Sequence, residues 1–327
     1  MNSKLMMTTT ASSTPTKIAS PSWQSLRKEV RQEIMNTDIL CEIIFPEGQE
    51  SEAHRCMEEV FAMMRTFEAR YSRFKTENEL YQFNKNDQSV VSPELFDILT
   101  RAQYFHTFTH GLFDPSILPA LVQEGYTGAD HSLPSKEKAL FSELVLHQET
   151  LTVLKPKNLL VDLGGIGKGY IVDAVATFLA LHFENFLIDA GGDIYVRGSN
   201  MKEGYPYWAI DVEHPTRANE SVALLLLNDT AVATSGRNRR HWKKDGEEKH
   251  HIIDPRTQRS ASLDYQSVTV IAKDTVTADI LAKTLFIAGK EQAPLLAEQW
   301  NIPALFVEHE GSITINHQAE AYVWKAS

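Results

Sequence analysis

Residues 162–173 read Asp-Leu-Gly-Gly-Ile-Gly-Lys-Gly-Tyr-Ile-Val-Asp, with glycines that let backbone approach a ligand and Lys168 at the mouth of a helix. Backbone N–H groups at a helix N-terminus favour phosphate, and the lysine adds a full positive charge. Asp162 arrives on an apolar run, 159–163, that reads as a strand. Two phosphate motifs do not fit. A P-loop, G-x-x-x-x-G-K-[ST], needs Ser or Thr after the lysine, where this chain has Gly169. The dinucleotide fingerprint G-x-G-x-x-G begins at Gly165-Ile166-Gly167 and then fails. Taken alone, the segment is a phosphate site or a tight strand-to-helix turn.

Three further segments carry reactive groups. Gly111-Leu-Phe-Asp114-Pro-Ser-Ile-Leu-Pro119 sets an irregular loop through an Asp-Pro turn and a second proline. Ala233-Thr-Ser-Gly236 leads into Arg237, Arg239 and Arg240, a local basic patch, and then to His250-His251-Ile-Ile-Asp254-Pro255. An imidazole titrating near neutrality can take a proton from an attacking hydroxyl. Adjacent side chains on a strand point to opposite faces, so one of the two histidines can face a site. Zinc fits poorly, because no third His or Cys stands nearby at ligand spacing. Finally, Asp279 and Lys283 lie one helical turn apart. On a surface such a pair contributes about 0.3–0.5 kcal/mol. Here Ile280, Leu281, Leu285 and Phe286 make the helix apolar around much of its circumference, which favours a partly buried, functional pair.

The elements that must hold these groups can be read from periodicity. Thr37–Phe45 is β-branched and apolar and stops at Pro46, a strand. Ala53, Met57, Val60, Phe61, Met64, Phe67 and Tyr71 share one helical face, which reads as core rather than a ligand box. Ser92-Pro93-Glu94 opens another helix. A helix is expected over 170–181, strands on either side of Gly191-Gly192, further strands over 208–212, 222–227, 231–234 and 267–272, and a helix over 277–288 ended by Gly289. Residues 120–158 read as a loop-rich insertion with a strand near 144–154. Together these predict one α+β domain over residues 26–327, after a polar Ser/Thr-rich tail over 1–25 expected to be disordered.

Composition sets bounds. The chain is 43% hydrophobic and 23% charged, and its formal net charge of -11 argues against a broadly basic nucleic-acid face. No apolar run reaches the roughly 18 residues of a membrane span. The N-terminus lacks the apolar core of a secretory signal, so a cytoplasmic protein is expected. Cys41 and Cys56, the two cysteines, read as buried thiols without metal spacing.

In this order, the segments RYSRFKTENELYQFN, GLFDPSILP, DLGGIGKGYIVD, FLIDAGGDIYVRG, AVATSG, HHIIDPRT and SVTVIAKDTVTADILAKTLFIAG resemble the ApbE family of FAD:protein FMN transferases. The resemblance covers roughly residues 60–290. It implies an α+β domain, related to the T-fold, with a mixed or antiparallel sheet packed by helices. It also implies cleavage of FAD with Mg²⁺, attachment of FMN to a Thr or Ser of an acceptor protein, and release of AMP. Carried over, Phe74 would stack in the flavin cleft, and Leu112, Phe113 and Asp114 would line the nucleotide. Asp162, Lys168 and Ile253 would contact FAD, and His251 would be the base for the acceptor hydroxyl. Asp279 and the Gly165 carbonyl would hold the metal. The chain departs from the family pattern in three respects. Lys283 stands where many members place a metal-binding Thr, Gln258 stands where the Asp-Pro-Arg-Thr turn normally ends in Gly, and the lipid-attachment signal of exported members is not visible. An FAD pyrophosphatase using water as acceptor, or a flavin-binding protein without turnover, are the alternatives on the same scaffold.

Overall fold

The computed structural model describes residues 23–126, 139–201, 204–217, 219–237, 241–244, 246–261 and 264–325. The chain opens with a long antiparallel hairpin, β1 (Trp23–Ile34) and β2 (Thr37–Pro46), followed by α1 (Glu50–Tyr71) and α2 (Glu79–Lys85). A short strand β3 (Gln88–Val90) precedes α3 (Pro93–Phe108), whose Ser92 cap accepts from the Leu95 N–H as the Ser-Pro-Glu signal requires. Next come α4 (Leu118–Gln123) and strands β4 (Val145–His147) and β5 (Thr152–Leu154), which form a small sheet with β3. Helix α5 (Gly167–Leu179) leads to β6 (Asn185–Ala190) and β7 (Asp193–Arg197), the pair expected around Gly191-Gly192. Three hairpin or sheet strands come next, β8 (Trp208–Glu213), β9 (Ser221–Leu227) and β10 (Thr230–Gly236). The hairpin β11 (His241–Lys244) and β12 (Glu247–His250) and the small pair β13 (Ile253–Asp254) and β14 (Arg259–Ser260) lead to β15 (Tyr265–Ala272). Last are α6 (Thr275–Gln299), β16 (Ala304–Glu308) and β17 (Ile313–Ile315). The fold is α+β.

Eight strands form one sheet in the order β1-β2-β6-β7-β10-β15-β16-β17, and each of its ladders is antiparallel. Alternation along the strands divides the core between its two faces. Ile39, Cys41, Ile43 and Phe45 of β2, with Phe186 and Ile188 of β6, pack on the apolar stripe of α1 and on α5. Ile44 and Leu187, one residue out of phase, face the opposite side and meet Trp208, Ile210, Leu225 and Leu227 of the β8–β9 hairpin. The helical layer is therefore on one face, and the site lies at its edge.

Four sequence expectations change. Trp23, Gln24 and Ser25, assigned to the tail, already belong to β1. Residues 159–163 join no ladder. Their backbone is satisfied by the buried Asn84 side chain, which donates to the Val161 carbonyl at 2.9 Å and accepts from its N–H at 2.8 Å, and by the Pro115 carbonyl, which accepts from Asp162 N–H at 2.8 Å. Helix α5 starts at Gly167 rather than Tyr170. Helix α6 starts at Thr275 and resumes beyond Gly289, whose φ of 76° breaks it where a stop was expected.

The start of α6 is built against α5. Asp173 accepts from the Thr275 and Val276 N–H groups at 2.7 and 3.0 Å, and Asp274 accepts from Thr277 at 2.8 Å. These acceptors satisfy amides that a helix start leaves open. Burial pushes the Asp173 carboxyl up to about 6, against the pull of its backbone donors. Gly169 makes the approach possible, since a Cβ there would lie 2.8 Å from the Thr275 carbonyl oxygen and 2.9 Å from Val276 Cα. Both are backbone atoms, so the helices would have to separate. Gly169→Ala should therefore lower stability by about 1–3 kcal/mol in urea unfolding, despite the gain of up to about 1 kcal/mol in helix propensity. A variant as stable as the wild type would show that this contact is not tight.

Candidate active site

Two adjoining spaces open at the edge of the helical layer. The first, about 430 Å³, is mainly apolar and lies between the end of α1, the Leu112–Pro115 loop, the Asp162–Lys168 turn and residues 251–255. The second, about 570 Å³, is polar and lies over Asp189, Asp193, Ser235 and Asp279. Lys168, His251, Lys283, Gly164 and Asn36 line both. Phe74, Leu112, Phe113, Asp114, Asp162, Gly165 and Ile253 line the first space, and Asp279 lines the second. Every site residue expected from the sequence is thus brought to this one region. Of the basic patch, Arg237 lines neither space, and Arg239 and Arg240 lie outside the described residues.

Local bonding holds the walls. His106 Nδ1 bonds the Phe113 carbonyl at 2.9 Å, and Thr109 Oγ1 accepts from the Phe113 N–H at 3.0 Å. Asp114 accepts from the N–H and hydroxyl of Ser116, the Asp-Pro turn realised as a cap. Asp162 uses both oxygens. Oδ1 accepts from Gly164 N–H at 2.7 Å, and Oδ2 pairs with Arg73 Nε at 3.0 Å. Arg73 is buried between two rings, its Cζ 4.2 Å from the Phe74 centroid and 4.5 Å from that of Tyr126. Tyr126 in turn stacks on Trp242 of the β11–β12 hairpin at 5.2 Å and 15°. Phe74 keeps 48% of its surface exposed, a large aromatic left open at the cleft. The two lysines are held by buried carboxylates, Lys168 by Asp193 and Lys283 by Asp279.

A family model, the ApbE family, matches residues 35–306. The chain belongs to the ApbE family. It is 32% identical over 272 residues to a protein of Vibrio cholerae named FAD:protein FMN transferase, covering 79% of this chain and 78% of that one. A protein of the same name from Haemophilus influenzae is 30% identical over 269 residues, covering 76% and 77%. Among solved structures, the ApbE protein of Thermotoga maritima superposes with a TM-score of 0.78 at 26% identity, covering 93% of this chain and 100% of that one. The flavin transferase ApbE of Vibrio cholerae gives 0.77 at 26% identity, covering 91% and 100%.

Sequence reasoning missed several residues around this ApbE-type cleft. Arg73 directly precedes Phe74, yet its role needs Tyr126 and Asp162 beside it. Asn84 and Asp173 act through backbone groups of segments 77 and 102 residues away. Asp193 follows the double glycine and carries the partner of Lys168. Among the described residues, no helix is long and apolar enough to cross a membrane.

The histidine pair divides as strand alternation requires. His250 is buried, stacks edge-on against Phe286, donates from Nε2 to the Ala261 carbonyl at 3.2 Å and accepts at Nδ1 from Ile252 N–H at 3.3 Å. Both nitrogens serve a neutral ring, and burial pushes its pKa below the ordinary 6.5. Below that pH the unfolded chain takes up a proton that folded His250 resists. Its contribution to stability is therefore complete above about pH 6.5 and is lost as pH falls through the lower folded value. His250→Gln should be less stable than wild type at pH 7 but lose less further stability between pH 7 and 5 in urea titrations. Parallel pH profiles would remove His250 from the acid response.

Proposed function

We propose that this ApbE-family chain transfers FMN from FAD to the hydroxyl of a Thr or Ser side chain on an acceptor protein and releases AMP. The observation that carries the reading is the position of His251, Lys168 and Lys283 on the boundary between an apolar cleft and a polar chamber. A flat ring system with a phosphoanhydride needs both environments, joined where cations and a base meet. The names of the relatives, FAD:protein FMN transferase and flavin transferase, support the same chemistry.

In this reading Phe74 offers its open face to a ring of FAD, while Leu112, Phe113 and Ile253 supply apolar walls and Asp114 the rim. Asp162 acts by fixing Arg73 and the Gly164 amide. Lys168, at the start of α5, meets phosphate together with the helix amides. The acceptor oxygen forms a bond to the FMN-side phosphorus. The bridging P–O bond breaks, and its electron pair leaves with AMP. His251 takes the hydroxyl proton, a role worth about 10²–10⁴ in rate.

The resemblance also assigns Mg²⁺ to Asp279, the Gly165 carbonyl and position 283. These residues do not fit that ion as they stand. Lys283 is a cation in contact with Asp279 Oδ1, and Asp279 Oδ2 is sealed in the protein.

The test is to incubate the chain and FAD with a desalted extract of its host cells and read in-gel flavin fluorescence, the added mass of FMN and AMP release. A fluorescent protein band with matching AMP is expected. His251→Ala should reduce labelling by about 10²–10⁴ while FAD binding is kept. Full labelling by that variant would remove His251 from the step, and steady AMP release without labelled protein would make water the acceptor.

A further inference from the structure

The contact between Lys283 and Asp279 bears on how phosphate charge is neutralised, and its catalytic meaning rests on the transferase reading. Asp279 is 2% exposed, and its Oδ1 touches the Lys283 ammonium. Its Oδ2 is buried and has no hydrogen-bond partner among the described residues. Mg²⁺ requires near-octahedral oxygen ligands and keeps several of its waters. The open edge of this carboxylate is covered by a cation, and the other edge is closed to a hydrated ion.

The lysine stem also crosses the glycine turn. A Cβ built on Gly165 would lie 4.0 Å from Lys283 Cδ. The side chain therefore passes within van der Waals reach of the Gly165 position on its way to Asp279. Two further chamber carboxylates are engaged, Asp193 by Lys168 and Asp189 by the Gly192 N–H at 2.6 Å. Among the described residues, Glu52, Cys56 and His182 form the one trio of ligand-type side chains with clustered donor atoms, and none of them lines either space.

We propose that Lys283 is itself the cation of the transfer step, so that the chain moves FMN without a divalent metal. Asp279 orients the ammonium through one N–H, leaving two N–H groups for phosphoryl oxygens. Charge builds on those oxygens as the bond from the acceptor oxygen to phosphorus forms and the bond to AMP breaks. Lys283 stabilises it by hydrogen bonding, forms no covalent bond and ends the step unchanged, while the hydroxyl proton goes to His251.

Two measurements test this. In the first, Mn²⁺ is titrated into the FAD-free protein and followed by electron paramagnetic resonance. Wild type should leave the ion free, and Lys283→Thr should bind it. In the second, the extract-labelling assay is run in EDTA and in Mg²⁺. Wild type should label about equally in both, and Lys283→Thr should lose about 100-fold in EDTA and recover with Mg²⁺. Lys283→Met should stay impaired in both buffers. Mn²⁺ binding by wild type as tight as by Lys283→Thr would overturn the proposal, as would wild-type labelling that demands Mg²⁺. Failure of wild type to label in either buffer would instead overturn the transferase reading, and this one with it.

Discussion

The site depends on the crossing of α5 and α6 at their first turns. Asp173 lies on α5 but accepts the opening amides of α6, and Gly169 lets the two backbones touch. Lys168 precedes that glycine by one residue, whereas Asp279 and Lys283 lie one and two turns into α6. A shift at the crossing would move one lysine relative to the other. Residues 162–173 therefore supply both the helix start that carries Lys168 and the anchor for the helix that carries Lys283. The cost is a carboxylate buried deeply enough that its pKa rises to about 6. Two backbone donors offset part of that cost.

Charge around the cleft follows one pattern. Arg73 with Asp162, Lys168 with Asp193 and Lys283 with Asp279 each pair a cation at the cleft with a carboxylate that is nearly inaccessible. Such pairs are poor sources of stability, since desolvation consumes much of the attraction. Their value is positional. A lysine held by a fixed carboxylate has lost much of its side-chain freedom before any ligand arrives. An acidic chain can thus offer local positive charge without a basic surface, which its net charge of -11 would otherwise argue against.

How much was legible in the sequence depended on the range of the interactions involved. The α1 stripe, the Ser92 cap, the strands around Gly191-Gly192 and the break at Gly289 are local, and they were readable from spacing. Residues 159–163 have the composition of a strand, but their partner is the Asn84 side chain, which no local pattern announces. The start of α5 is hidden in the sequence because Gly167 and Gly169 lower helix propensity there, while tertiary contact at Gly169 demands one of them. The site residues could be named only through the ordered resemblance. Spacing showed that Asp279 and Lys283 share a helix face, but not that the lysine stem reaches back across Gly165. The place of Arg73 is not legible locally, because the rings that enclose it come from 74 and 126, and the latter is braced by a distant hairpin.

The adjacent histidines tie the fold to the chemistry most directly. At a strand end, burying one side chain turns its neighbour outward. His250 is locked by Phe286, the Ala261 carbonyl and the Ile252 amide, and His251, the next residue, lines both spaces. Two of these three belong to the short return through Ile252 and Ala261, and the third to α6, the helix that carries Lys283. The strand end that carries His251 and the position of Lys283 are therefore referenced to the same helix. A side chain mounted beside a locked neighbour has its backbone placed when the core closes, before any ligand arrives.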